Sequence, residues 1–213
     1  MHRTVIFANG DLPDIHKVRM ILRDDDFIIC ADGGTRHASA LNLRPDLVIG
    51  DLDSADQADL QRLQNDGVPI ELFPGDKDET DLELAIKHAI GLEPKTIIIV
   101  GALGGRLDQT LANIALLSDE RLSGFDVSLD DGVEEVFFCR DQAQVNGRSG
   151  DILSLLPWGS PVHGIRTQGL KWELANETLH PEKTRGISNQ MLSDLASIEI
   201  GSGLLLVVHH RKD

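Results

Sequence analysis

The feature that most constrains this chain is the alternation, over roughly its first 122 residues, of short apolar runs with amphipathic helical patterns. The runs are TVIFA, FIICA, LVIG, PIELF and TIIIV, rich in the β-branched residues that suit a pleated, buried surface. Between and after them the periodicity predicts helices over 13–22, 35–41, 56–65, 79–90 and 107–117. A run that is apolar at successive positions must be covered on both faces. A parallel sheet with helices on each side meets that demand.

From about Phe125 the pattern changes. FDVSLD, EEVFFC, AQVN, DILSLLP, VHGIRT, LKWEL and a last LLLVVHH are short segments punctuated by the turn-forming DDG, NGRSG and PWGSP. They predict an antiparallel β-sandwich or barrel-like unit. The expected fold class is therefore α/β plus all-β: an α/β domain over 1–122 with a parallel sheet and helices on both faces, then a β-rich domain over 123–213.

Charge and cysteine usage exclude whole classes of function. The formal net charge is -15, so the clustered Lys and Arg of a nucleic-acid surface are missing. No apolar stretch approaches the ~18 residues of a spanning helix, so no membrane association is expected. Cys30 and Cys139 show neither CxxC spacing nor a disulfide framework, which points to a reducing, cytoplasmic compartment. The histidines lack the spacing of a zinc site, and His209 and His210 read as surface residues.

The acidic residues are placed less innocently. Asp32 follows FIICA, Asp51 and Asp53 follow LVIG, and Asp76, Asp78 and Asp81 lie between ELF and a helical pattern. Carboxylates on loops beyond the carboxyl ends of parallel strands converge in one crevice, where only a hard cation relieves their repulsion. Mg²⁺ with a polyphosphate is the expected pair. Gly33 and Gly34, after Asp32, allow close backbone approach to a ligand or serve a steric need of the turn. Asp51 and Asp53 can share one divalent ion, although Asp53 or Ser54 would also suit a helix N-cap. In Gly75–Asp81, Asp78 or Thr80 can cap the next helix, while Lys77 sets a cation beside the acids. Gly104 and Gly105 open the turn before Arg106, which can hold phosphate oxygens bidentately, and Asp108 and Gln109 add polar recognition. Neither GxxxxGK[ST] nor GxGxxG occurs. In the β-rich half, Trp172 reads as core or as a face for a cationic ligand, and Ser188 and Asn189 as turn residues.

Taken in order, ADGG, PDLVIGDLDS, DKDETDLELA, GALGGRLDQTLAN, GLKWEL and the late Ser188-Asn189 resemble the thiamine pyrophosphokinase family over nearly the whole chain. The resemblance implies Mg²⁺-dependent transfer of the diphosphoryl group of ATP to the hydroxyl of thiamine, giving thiamine diphosphate and AMP. It implies a nucleotide- and metal-binding first domain, a thiamine-binding second domain, and a homodimer with its sites at the subunit interface. It makes Asp51, Asp53 and Asp81 the metal carboxylates, with Asp32 and Asp78 close by, and adds Arg106 to the catalytic set. Lys77, Thr80 and Arg106 would contact phosphates, in a site shaped by Gly33, Gly34, Gly104 and Gly105. Asp108, Gln109, Trp172, Ser188 and Asn189 fall at the thiamine-side positions. Many members carry Asp-His where this chain has Asp108-Gln109, so the resemblance offers no histidine base there. Two rivals remain at this point: a haloacid-dehalogenase-like phosphatase with Asp51 as nucleophile, and a catalytically silent nucleotide or thiamine sensor.

Overall fold

Residues 3–212 are described, from a computed structural model. By internal contacts the chain divides into two compact units at Gly132/Val133. In the first unit the elements run β1 (Arg3–Phe7), α1 (Ile15–Ile21), β2 (Phe27–Ala31), α2 (Thr35–Ala40), β3 (Leu47–Gly50), α3 (Gln57–Asn65), β4 (Ile70–Leu72), α4 (Asp81–Gly91), β5 (Thr96–Val100), α5 (Leu107–Leu116) and β6 (Asp126–Asp130). The strands are parallel, in the order β4-β3-β2-β1-β5-β6. Val5, Phe7, Ile28, Cys30, Val48, Ile98 and Val100 face a core shared with Val18, Ala38, Leu60 and Leu63 of α1, α2 and α3. Residues of the opposite parity, Ile6, Ile29, Ile49, Ile97 and Ile99, are also fully buried or nearly so, and α4 packs over β1, β2 and β3. Burial on both faces is why these strands lack alternation.

Caps set where the helices begin. Asp14 accepts from His16 N and Lys17 N at the start of α1, Asp56 from Ala58 N and Asp59 N at α3, and Thr80 Oγ1 from Glu83 N at α4. With α3 capped by Asp56, neither Asp53 nor Ser54 performs that task. Chain order reverses on either side of β1, since β2 and β5 flank it. Open parallel sheets bind ligands in the crevice beyond the strand carboxyl ends at such a switch point.

The second unit contains two antiparallel arrays. One runs β12 (Asn189–Gln190), β9 (Ile152–Pro157), β14 (Leu205–His210) and β7 (Glu134–Cys139); the other runs β11 (Ala175–Leu179), β10 (Val162–Gln168), β13 (Leu195–Glu199) and β8 (Gln142–Asn146). Leu153, Leu155, Val207 and Leu205 from the first meet Val145, Ile165, Leu179 and Ile198 from the second in one core.

Two sequence expectations change here. LKWEL is no strand: Leu174 N–H donates to Thr167 Oγ1 and Thr167 N–H to Leu174 O, so 169–173 lies in the turn joining β10 to β11. And His209 is no surface residue. It lies 0 % exposed on β14, which is flanked by both β7 and β9 and so turns alternate side chains inward.

Candidate active site

The loops after β1, β2, β3 and β5 meet around a cavity of about 420 Å³ within the first unit. From the β2 end comes Asp32, 7 % exposed and at a positive φ of 46°. The β3 end supplies Asp51, Asp53 and Ser54, and here Asp53 N–H donates to Asp51 Oδ1 (3.2 Å), Ser54 Oγ to Asp53 Oδ1 (2.9 Å) and Ser54 N–H to Asp32 Oδ1 (3.3 Å). These bonds tie two loops from adjacent strands into one acidic surface. Ligand oxygens of Asp32, Asp51 and Asp53 all lie within 4.8 Å of one another.

Gly50 explains how the acids come so close. A Cβ there would lie 3.2 Å from Asp32 Cβ and 3.2 Å from Asp81 Cγ, and its φ of +147° is one that side-chain-bearing residues rarely adopt. The next turn carries more strain, with Leu52 at a φ of 62°. Non-glycine residues are held in such conformations only when their surroundings over-determine them, and such residues gather at functional sites.

Lys77 crosses the acidic surface from the loop before α4. Its Nζ lies 3.0 Å from Asp81 Oδ1 and 3.6 Å from Asp51 Oδ2, and donates to Pro74 O at 3.1 Å. Burial works against the ammonium, but Asp81 and Asp51 outweigh it and raise its pKa. Asp81 Oδ1 is buried and, Lys77's ion pairing aside, meets no donor at hydrogen-bonding angles among the described residues. A buried carboxylate oxygen in that condition, beside three more converging carboxylates, fits a hard cation bound by oxygen ligands.

The β5 end closes the cavity with Gly101, Ala102 and Gly104. Asn113 Nδ2 donates to Ala102 O at 2.9 Å and Thr110 Oγ1 to Gly104 O at 3.3 Å, so α5 fastens this turn from behind. Gly10 N–H donates to Gly101 O at 2.7 Å, joining the loops on either side of the switch point.

Of the residues singled out from sequence, Asp32, Asp51, Asp53, Lys77, Thr80, Asp81, Gly104 and Gln109 line the cavity. Gly33 and Gly34 do not. A Cβ on Gly34 would meet Phe7 O at 2.0 Å, so that glycine answers the close packing of the turn on β1. Asp78 is exposed. Gly105 and Arg106 are outside the lining, and Arg106 clasps Asp108 through Nε (3.1 Å) and an Nη (2.6 Å), holding that carboxyl below its ordinary range. Asn9 and Gly10 line the cavity without having drawn notice in the sequence, and Asn113, the last residue of the GALGGRLDQTLAN run, lines it without having been given a role there. The available signal for Asn9 and Gly10 was position alone, directly after the first apolar run.

In the second unit Trp172 sits in the 169–173 turn, 58 % exposed, with Lys171 Nζ 4.8 Å from its ring centroid. It is no core residue. Asn189, 5 % exposed, brackets it: Trp172 N–H donates to Asn189 Oδ1 (3.1 Å) and Asn189 Nδ2 to Trp172 O (2.7 Å). Ser188 has a φ of 59°, and its N–H donates to Ser154 Oγ at 2.9 Å.

Residues 18–151 match the family profile described as "Thiamin pyrophosphokinase, catalytic domain", and residues 141–205 the one described as "Thiamin pyrophosphokinase, vitamin B1 binding domain". The chain belongs to the thiamine pyrophosphokinase family. It is a transferase of that kind, and neither a phosphatase built on Asp51 nor a silent sensor is favoured. Among thiamine pyrophosphokinases of known sequence, that of Bacillus subtilis is 26 % identical over 182 residues, covering 84 % of this chain and 85 % of its own. Thiamine pyrophosphokinase 1 of Arabidopsis thaliana is 28 % identical over 209 residues, covering 86 % and 78 %. The crystal structure of the Bacillus subtilis enzyme aligns over all of both chains with a TM-score of 0.88 at 22 % identity. The solved structure of thiamin pyrophosphokinase from Candida albicans aligns over 99 % of this chain and 89 % of its own, with a TM-score of 0.82 at 17 % identity. The α/β plus all-β architecture is thus a thiamine pyrophosphokinase fold.

Proposed function

We propose that this thiamine pyrophosphokinase family member transfers the diphosphoryl group of ATP to the primary hydroxyl of thiamine, with its nucleotide and Mg²⁺ in the cavity of the first unit. The observation that carries the reading is the convergence of Asp32, Asp51 and Asp53, with Lys77 and Asp81 beside them, at the switch point of a parallel sheet. Asp32, Asp51 and Asp53 would hold Mg²⁺, with Asp81 completing the acidic surface; when bound, the ion neutralises charge on the polyphosphate. Lys77 offers a second cation to phosphate oxygens, and the Gly101–Gly104 turn lets the backbone close on them. Arg106 is exposed and can exchange Asp108 for a phosphate. In the transfer, the thiamine hydroxyl oxygen attacks the β-phosphorus, the bond to the α-phosphate oxygen breaks, and AMP departs with that electron pair. Among the described residues no histidine lines the cavity, and a cavity carboxylate or water takes the hydroxyl proton.

Thiamine carries a fixed positive charge. Trp172, exposed and held by its backbone, supplies an aromatic face for it, and Ser188, Asn189, Asp108 and Gln109 are the polar thiamine-side set. The enzyme acts as a homodimer with sites at the subunit interface. Helix α5 supports this: it has no buried residue, and Leu107 and Leu111 on one of its faces are 73 % and 51 % exposed, while its Gln109, Ala112 and Asn113 line the cavity. A second copy covering that face would also wall the site. A cytoplasmic location suits the buried free thiols, which burial pushes up, Cys139 to about 11. Among the described residues no helix is long and apolar enough to cross a membrane.

Purified protein with Mg²⁺, ATP and thiamine should form thiamine diphosphate and AMP in equal amounts. ADP in place of AMP, or AMP without thiamine, would refute the reading.

A further inference from the structure

Among the buried groups that the proposed reaction leaves unused, His209 is the most constrained. Its Nε2 lies 3.0 Å from Asp151 Oδ2, and its Nδ1, which has no hydrogen-bond partner among the described residues, faces Glu135 Oε2 at 3.7 Å. Gly147 closes over the pair, since a Cβ there would lie 2.7 Å from Asp151 Oδ2 and 2.8 Å from His209 Nε2. Asp151 holds more than the ring. Its Oδ2 also accepts from Arg148 N–H (2.9 Å), its Oδ1 from Lys212 N–H (3.0 Å), and its carbonyl from Met191 N–H (2.9 Å). Met191 follows β12, whose Asn189 brackets the Trp172 backbone and whose Gln190 O accepts from Lys171 N–H at 2.8 Å. A series of short bonds, linked along β12, therefore runs from a fully buried imidazole to the backbone of Trp172, whose indole is exposed.

We propose that His209 is a positioning residue for the Trp172 loop: bonded to Asp151 and facing Glu135, it fixes the 147–151 turn, from which β12 and then Trp172 are held. The charged groups that face it are Asp151 from the turn before β9, Glu135 from β7 and Arg211 just beyond its own strand; the residue opposite it on β9 is the apolar Leu153. Burial opposes the charged ring, but Glu135 and Asp151 outweigh burial and raise its pKa. As pH rises through that value the ring loses its charge, and with it the attraction to Asp151 and Glu135 that restrains the turn. The consequence for substrate rests on the reading above that thiamine packs on Trp172.

The test uses the full chain with Trp158→Phe, leaving Trp172 as the one indole, and compares His209 with His209→Gln. In a variant whose far-ultraviolet dichroism is unchanged, acrylamide quenching of Trp172 should rise about twofold and the thiamine KM about fivefold, with the ATP KM unmoved. Raising the pH from about 6 to about 9 should reproduce both changes in the His209 protein and neither in His209→Gln. Unchanged quenching in the folded variant overturns the proposal. If His209→Gln does not fold, Glu135→Gln decides: it keeps the Asp151 bond but should lower the pH at which quenching rises, and an unmoved midpoint overturns the proposal. If quenching rises while the thiamine KM stays constant, positioning stands and the placement of thiamine on Trp172 falls.

Discussion

Lys77 Nζ lies 3.0 Å from Asp81 Oδ1, four residues ahead of it, and 3.6 Å from Asp51 Oδ2, so one ammonium compensates carboxylates from two loops. With its side chain only 12 % exposed, the pair is weakly screened. Lys77→Met should therefore do two things. It leaves Asp51 and Asp81 repelling each other, lowering stability by ~1–3 kcal/mol, and it removes a phosphate partner, lowering kcat/KM on the order of 100-fold. Urea unfolding with and without Mg²⁺ separates the two, because the ion should recover stability without restoring turnover. Asp51→Asn and Asp81→Asn should abolish turnover with the fold intact.

Gly50 permits the approach of Asp32 to Asp81. In Gly50→Ala the new methyl lies 3.2 Å from both side chains at a φ of +147°, so the loop must give. Stability should fall by ~1–3 kcal/mol, and Mn²⁺ binding without nucleotide, followed by electron paramagnetic resonance, should weaken about tenfold. Ordinary Mn²⁺ affinity in that variant would mean that the acids need no such closeness.

Trp172 is 58 % exposed, and its loop is fixed through backbone atoms rather than through the indole. Trp172→Ala should then leave the unfolding midpoint almost unmoved while raising the thiamine KM ~10-fold and sparing that of ATP. A large loss of stability would identify the indole as a packing element instead.

The parallel sheet was legible because burial on both faces leaves uninterrupted apolar runs such as FIICA and TIIIV. The β-rich half was less so: ANETL and LASIE form β11 and β13, yet polar residues on their exposed faces hide them. Asp51 and Asp53 could be read together because they are chain neighbours after a strand. Asn9 and Asn113 could not, since their proximity depends on β1 and β5 being adjacent, and a neutral amide carries no pattern. His209 misled for a related reason. Its partners, Asp151 and Glu135, reach it through strand pairing and a distant turn, so the sequence presents a polar residue near a chain end and nothing to bury it against.

Leu107 and Leu111 stand one turn apart on α5 and are 73 % and 51 % exposed, beside cavity residues of the same helix. If a second copy covers them, Leu111→Asp should convert the dimer to a monomer in analytical ultracentrifugation. Specific activity of the variant should then be low at every concentration, with folding unaffected. A Leu111→Asp protein that remains dimeric would place the interface elsewhere.

The His209 assembly also predicts how the chain's stability depends on pH. The folded-state pKa of His209 is raised by Glu135 and Asp151 against the effect of burial, so its contribution is complete below the ordinary histidine value and disappears as pH rises through the folded value. Asp151 runs the other way. Burial raises its pKa, but the Lys212 and Arg148 amides and His209 lower it further, so its contribution is present above the ordinary carboxylate value and disappears as acid approaches the folded one. The melting temperature should therefore hold a plateau between the ordinary carboxylate and histidine values and decline as the pH rises from the latter through the folded value of His209. His209→Gln should lose the alkaline decline while keeping the acid one. Parallel alkaline declines in both proteins would assign the titration to another group and leave His209 neutral within the core.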